Sequence, residues 1–272
     1  FSSLIHNKNL SYFYYLSGDK NLNKHIAILH LEGPIISNPN NLNNLKIFPK
    51  TKAIYPSLLK EYLNELDNEN TLALIISINS QGGSVSASND IFQKISNFKN
   101  KRNIPIYFHT SNILASGGYW IALSGDKIFT DYGAIIGSIG VKGPDWIYYN
   151  SPTSISSGFF GNAVESPNGI KLYSNTAGIS KDIFSPFRAP STKENLQLQE
   201  MVDDIYNDFI NLVSSKRKIE KKNLKYEIGA MIFNSKQAKK EFLIDDQKNI
   251  NDLINILSKK LKIISPKIIT NN

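Results

Sequence analysis

Two glycine pairs mark where this chain could do chemistry. In "NSQGG", Gly82 and Gly83 follow an apolar run at 71–80; in "NILASGGYWIAL" (112–123), Ser116, Gly117 and Gly118 interrupt another. A glycine pair in the first turn of a helix costs about 1 kcal/mol per residue relative to alanine, so bare backbone there requires a reason. Backbone N–H groups at a helix start have no partner inside the helix and favour negative charge. Two such groups facing one another would form an oxyanion hole, and Gly82 and Gly83 would offer a surface for substrate backbone. Ser116 in the same turn would carry its Oγ beside that hole. The expectation is that these glycines let a substrate carbonyl lie on the backbone, with Ser116 as nucleophile. The competing structural reading makes them turn glycines and Ser116 an N-cap bonded to its own helix.

A serine nucleophile needs a base. The four histidines, His6, His25, His30 and His109, all precede Ser116, and His109 reads as a residue at a strand end. The other accepted base is a lysine, which takes a proton only while its amine is neutral. No cysteine is present, which excludes thiolate catalysis, disulfides and cysteine-bound zinc. Neither "SQGGSV" nor "ASGGYW" fits the glycine patterns of nucleotide loops, and no metal or other cofactor is expected.

These residues need elements to position them. "HIAILHLEGPI" (25–35), "TLALIISINS" (71–80), "IPIYFHT" (104–110) and "KIFT" (127–130) read as strands, and the second is apolar enough to be buried on both faces of a parallel sheet. Helical spacing at 53–66, 81–98 and 115–124 alternates with them, which predicts right-handed βαβ units and an α/β core. Both glycine pairs then fall at the carboxyl ends of strands, where ligands bind in open α/β sheets. Residues 143–180 read as loops and short strands, a long helix is expected over 192–218, and two shorter ones around 235–242 and 249–262.

The net charge of +8, from 31 basic and 23 acidic residues, is spread along the chain. Its tightest basic cluster, "SKRKIEKKNLK" (215–225), reads as a solvated helix face and turn, and no nucleic-acid partner is expected. No window of about 18 apolar residues could span a membrane. The chain starts at Phe1 rather than at methionine, which suggests a fragment and leaves open whether a signal or anchor precedes it.

Three segments in order, "INSQGGSVSASNDI", "ASGGYWIALSGDKIFTDYGAIIGSIGV" and "SKDIFSPFRAPSTKENLQLQEMVDDIYNDFI", resemble the signal peptide peptidase A family, the Ser/Lys-dyad serine peptidases of family S49. The resemblance covers about residues 26–260. It implies an α/β ClpP/crotonase-like fold of repeated ββα units with C-terminal helices. Residues 1–24 would be an N-terminal extension, 25–265 the peptidase domain and 266–272 a tail. It also implies Ser116 as nucleophile, Lys181 of "KDIFSPFR" as general base, Ser138 of "GSIG" as the hydroxyl that orients the lysine, and the amides of Gly83 and Gly117 as oxyanion donors. Implied partners are cleaved signal peptides and other unfolded hydrophobic peptides. The implied setting is a ring- or bowl-shaped homo-oligomer anchored in the membrane, with its catalytic domain extracytoplasmic.

Two departures stand out. Ser116 and Lys181 lie 65 residues apart, longer than the resemblance implies, which leaves Lys171 as the competing lysine. The family's "NSPGG" reads "NSQGG" here. The alternatives are an acyl-CoA enzyme of the crotonase superfamily and an inactive scaffold of the same fold; the absence of a histidine after Ser116 argues against a Clp-like Ser/His/Asp triad.

Overall fold

The computed structural model describes residues 11–37, 52–149, 156–158, 161–163 and 175–271. From the N-terminus, β1 (Tyr14–Ser17) and β2 (His25–Glu32) precede α1 (Pro56–Leu66). Then come β3 (Thr71–Asn79), α2 (Val85–Arg102), β4 (Ile106–Thr110), β5 (Ile113–Ala115) and α3 (Gly117–Ala122). Strands β6 (Lys127–Thr130) and β7 (Ile135–Gly137) follow, then a hairpin of β8 (Ser156–Gly158) and β9 (Gly161–Ala163). Helix α4 (Thr192–Arg217) leads to a short α5 (Lys221–Asn223), which runs on into a π-helical turn at Leu224–Ile228. The chain closes with β10 (Ile232–Asn234), α6 (Ser235–Lys240), β11 (Asp246–Gln247), α7 (Ile250–Leu261) and β12 (Lys267–Thr270).

The main sheet runs β1-β12-β2-β3-β4-β6-β11, parallel throughout except for β1, which is antiparallel to β12. The run at 71–79 becomes a central strand buried along nearly its whole length, as continuous apolarity without alternation requires. On one face Leu253 and Leu257 of α7 pack against Ile26, Ile28, Ala73, Ile75, Tyr107, Phe129 and Ile268. A second sheet, β10-β7-β5, sets β5 parallel to β7. Each main-sheet strand β4 and β6 is thus followed at once by a short strand of the second sheet, and after β5 by a helix. This is the ββα rhythm expected of the fold. The short strands β5 and β7 escaped the sequence reading, because three residues are too few for a period to emerge.

The ends differ from the reading as well. Residues 266–272 were expected to be a tail, yet Lys267–Thr270 pair with His25–Ile28 inside the sheet, and Tyr14–Ser17 of the expected extension add a further strand. The described chain divides into two compact units, residues 1–140 with 209–272 and residues 141–208.

Burial holds the imidazoles of His25, His30 and His109 below the ordinary histidine range, even though Asp131 pulls His109 the other way. A native state that keeps these rings neutral binds fewer protons than the unfolded chain below about pH 6.5, so stability must fall as pH drops through that value. Melting temperature is expected to decrease steadily from pH 7.5 to 5, and His109→Gln should flatten the slope. A pH-independent melting temperature over that window would contradict the account.

Candidate active site

The two glycine turns meet in one place. The chain leaving β3 is held on one side by β5, where Ser80 N–H donates to Ile113 O (2.8 Å) and Ala115 N–H to Ser80 O (3.0 Å). On its other side it is held by Ile35, whose N–H donates to Gly82 O (3.0 Å) and whose carbonyl accepts from Ser84 N–H (2.9 Å). The Gly82 amide is itself taken by Ser80 Oγ at 3.1 Å. Among the described residues, the N–H groups of Gly83 and Gly117 make no hydrogen bond. Those are the two amides that the family resemblance implies as oxyanion donors.

Gly82 is bare because Ser116 is there. A Cβ on Gly82 would stand 2.8 Å from Ser116 Cβ, 3.1 Å from its Oγ and 2.9 Å from Gly117 N, and the backbone at Gly82 has φ +104°. At Gly83, with φ +152°, a Cβ would strike Ile35 O at 2.1 Å. An alanine at that position would therefore disturb the fold as well as any oxyanion contact.

Ser116 follows β5 and precedes α3 with φ +51° and ψ −123°, a conformation that is costly for a residue with a Cβ. Its backbone is fixed by N–H donation to Gly137 O (2.9 Å) and by acceptance from Trp120 N–H (3.0 Å). Its side chain does not cap α3. Ser84, at the equivalent point before α2, accepts from Ala87 N–H as an N-cap should. The same residue type at the same position in successive units thus does two different things: Ser84 serves its helix, while Ser116 leaves Oγ without a hydrogen bond among the described residues. A strained strand–serine–helix turn that holds up an unengaged hydroxyl is the geometry of a nucleophile elbow.

Ser138 lies beside it. β5 and β7 are parallel, with Ala115 opposite Gly137, so Ser116 and Ser138 follow paired residues of strands about 4.8 Å apart. Ser138 repeats the φ of +51°, held by N–H donation to Met231 O at 2.8 Å.

One expectation is corrected. At Gly117 and Gly118 the groups that approach the bare Cα atoms belong to the protein. A Cβ on Gly117 would lie 2.3 Å from Ser88 Oγ of α2, and one on Gly118 would lie 3.0 Å from Ser80 O. These glycines let α3 pack against α2 and the turn after β3, whereas Gly82 is the one that makes room for Ser116. Gly117→Ala is expected to destabilise the protein by about 1–3 kcal/mol through overpacking. Ser88→Ala should recover part of that loss, although Ser88 Oγ also donates to Ser84 O. Thermal melts of the two single variants and the double variant measure the coupling, and additive losses would refute the packing explanation.

Lys181 lies in the other unit, exposed, in a turn where its N–H donates to Gly178 O at 3.3 Å. Its amine has no hydrogen bond or ion pair among the described residues. The competing Lys171 lies outside the described residues. A cavity of about 250 Å³ in the first unit is lined by His30, Glu32, Lys52, Tyr55, Tyr62 and Asn79 among others, and by none of the residues 80–84 or 116–138.

The model of peptidase family S49 matches residues 98–264, more than half of the chain. The chain belongs to peptidase family S49. Relatives of this S49 chain include an Enterococcus faecium protein named for signal peptide peptidase SppA, 28% identical over 91% of this chain and 67% of its own length. Protease 4 of Haemophilus influenzae is 26% identical over 86% of this chain and 34% of its own length. Solved structures similar to it include the Pyrococcus horikoshii 1510-N membrane protease specific for a stomatin homolog, 18% or less identical in its several forms. In the form without substitutions the figures are 14% identity, 86% of this chain, 78% of the other and a TM-score of 0.47. Family membership makes the S49 chain a peptidase.

Sequence reasoning missed the parts that hold the turns in place: Ile35, Ser80, Ser88, and the Met231 carbonyl, which would lie 2.4 Å from a Cβ on Gly137. Only "EGPI", which ends in Ile35, carried a signal, a turn followed by a β-branched residue.

Proposed function

We propose that this S49 chain is a serine endopeptidase in which Ser116 Oγ attacks the scissile carbonyl and Lys181 takes its proton. The observation that carries this reading is the positive-φ, non-capping Ser116, set against Gly82, with the amides of Gly83 and Gly117 unbonded among the described residues. Those amides would hold the oxyanion of the tetrahedral intermediate. As that intermediate collapses, the leaving amine takes the proton from the Lys181 ammonium and an acyl-Ser116 ester remains. Water, deprotonated by the same lysine, then hydrolyses the ester. Ser138 Oγ would orient the amine without adding charge.

The name of the SppA relative supports cleaved signal peptides as substrates, and other unfolded hydrophobic peptides belong to the same chemical class. The setting we propose with it is a membrane-associated homo-oligomer with its catalytic face extracytoplasmic. No helix among the described residues is long and apolar enough to cross a membrane, so attachment would use another segment. The test is labelling with a fluorophosphonate probe followed by peptide mapping: modification confined to Ser116 is expected, and modification at any other serine would overturn the assignment.

A further inference from the structure

The segment "KDIFSPFRAPSTKE" folds around a single guanidinium. Arg188 grips Asp182 with two nitrogens, Nε to Oδ2 at 2.7 Å and Nη2 to Oδ1 at 2.8 Å. It grips Glu194 with two contacts as well, Nη1 to Oε2 at 2.9 Å and Nη2 to Oε1 at 2.7 Å. The guanidinium also lies over the ring of Trp146, 5.0 Å from its centre, and the Trp146 indole N–H donates to the carbonyls of Ser185 (3.0 Å) and Arg188 (3.2 Å). Glu194 is almost fully buried in the first turn of α4, where it also accepts from Ser191 N–H and Oγ. Arg188 holds the carboxyls of Asp182 and Glu194 below their usual range.

The residue immediately after Lys181 is therefore tied to this cluster. Asp182 is held by Arg188, and within the same turn Ile183 N–H donates to Ser180 O at 3.1 Å. Such ties are needed, because Ser180 and Phe184 adopt φ of +62° and +68°, conformations that persist only where surrounding contacts over-determine them. Lysine could not replace this arginine, since only a planar fork meets two carboxylates bidentately at once.

We infer that Arg188 is a positioning residue: bridging Asp182 and Glu194, it fixes the turn that presents the Lys181 amine. The inference rests on Lys181 being the general base. A base displaced by about 1 Å costs on the order of 10² in rate.

The test uses the full chain with a fluorogenic peptide. Arg188→Gln is expected to lower kcat by about 10-fold or more, with KM within about twofold of wild type and slower fluorophosphonate labelling of Ser116. Arg188→Lys keeps the charge without the double grip and should recover only part of kcat. A purely structural arginine would instead lower the melting temperature and the yield of folded protein while kcat per folded molecule stayed at the wild-type value; that result, with Lys181→Met inactive, overturns the inference. Full recovery of kcat in Arg188→Lys also overturns it, since the double grip would then be dispensable. An active Lys181→Met enzyme sinks the base assignment itself, and the positioning role with it.

Discussion

Ser116→Ala is expected to abolish peptide hydrolysis and fluorophosphonate labelling, with kcat reduced by at least about 10⁴-fold, while the protein remains folded. The backbone strain at φ +51° is borne by serine and alanine alike, so it nearly cancels in the comparison. No capping bond is lost, because Ser116 makes none. The melting temperature should stay within a degree or two of wild type. Ser84→Ala is the matched control, since it removes a real N-cap and should cost about 1 kcal/mol. An active Ser116→Ala protein would remove Ser116 from the chemistry. An unfolded one would mean that the side chain has a structural task the geometry does not show.

That contrast between two serines explains how far the site was legible in the sequence. Residue type and spacing placed the two glycine pairs between strands and helices, but nothing in "GGSV" or "LASGG" separates a capping serine from an unengaged one. The difference comes from Gly137 O and Ile35, which fix the two backbones from distant parts of the chain. The parallel sheet was legible because burial on both faces leaves a continuous apolar run, as in Thr71–Asn79. The second sheet was not: Ile113–Ala115 and Ile135–Gly137 are too short to show a period, and the register that sets Ser138 beside Ser116 is a long-range pairing. The glycines misled in an instructive way. Small residues were read as space for substrate, but at Gly117 that space is filled by Ser88. Only Gly82 keeps its bareness for Ser116, and its sequence context looks the same.

The second large effect is expected at the base. Lys181→Met should lose activity by at least about 10³-fold and remain folded, because its exposed amine has no bond among the described residues to lose. Lys171→Met should stay close to wild type. The reason for preferring Lys181 is local: it sits in a turn that two positive-φ residues and the Arg188 cluster hold in one shape, and a proton acceptor needs a fixed position to contribute fully. Lys181→Arg separates the base role from a purely electrostatic one. Arginine keeps the positive charge but does not give up its proton in a protein, so it cannot act as base. If Lys181 supplied only positive charge to the oxyanion, Lys181→Arg would retain much of the activity; if it accepts the Ser116 proton, Lys181→Arg should be as inactive as Lys181→Met. Turnover of the three variants, each compared with its melting temperature, decides the matter. An active Lys181→Met, or a folded and inactive Lys171→Met, would move the base away from the "KDIFSPFR" turn.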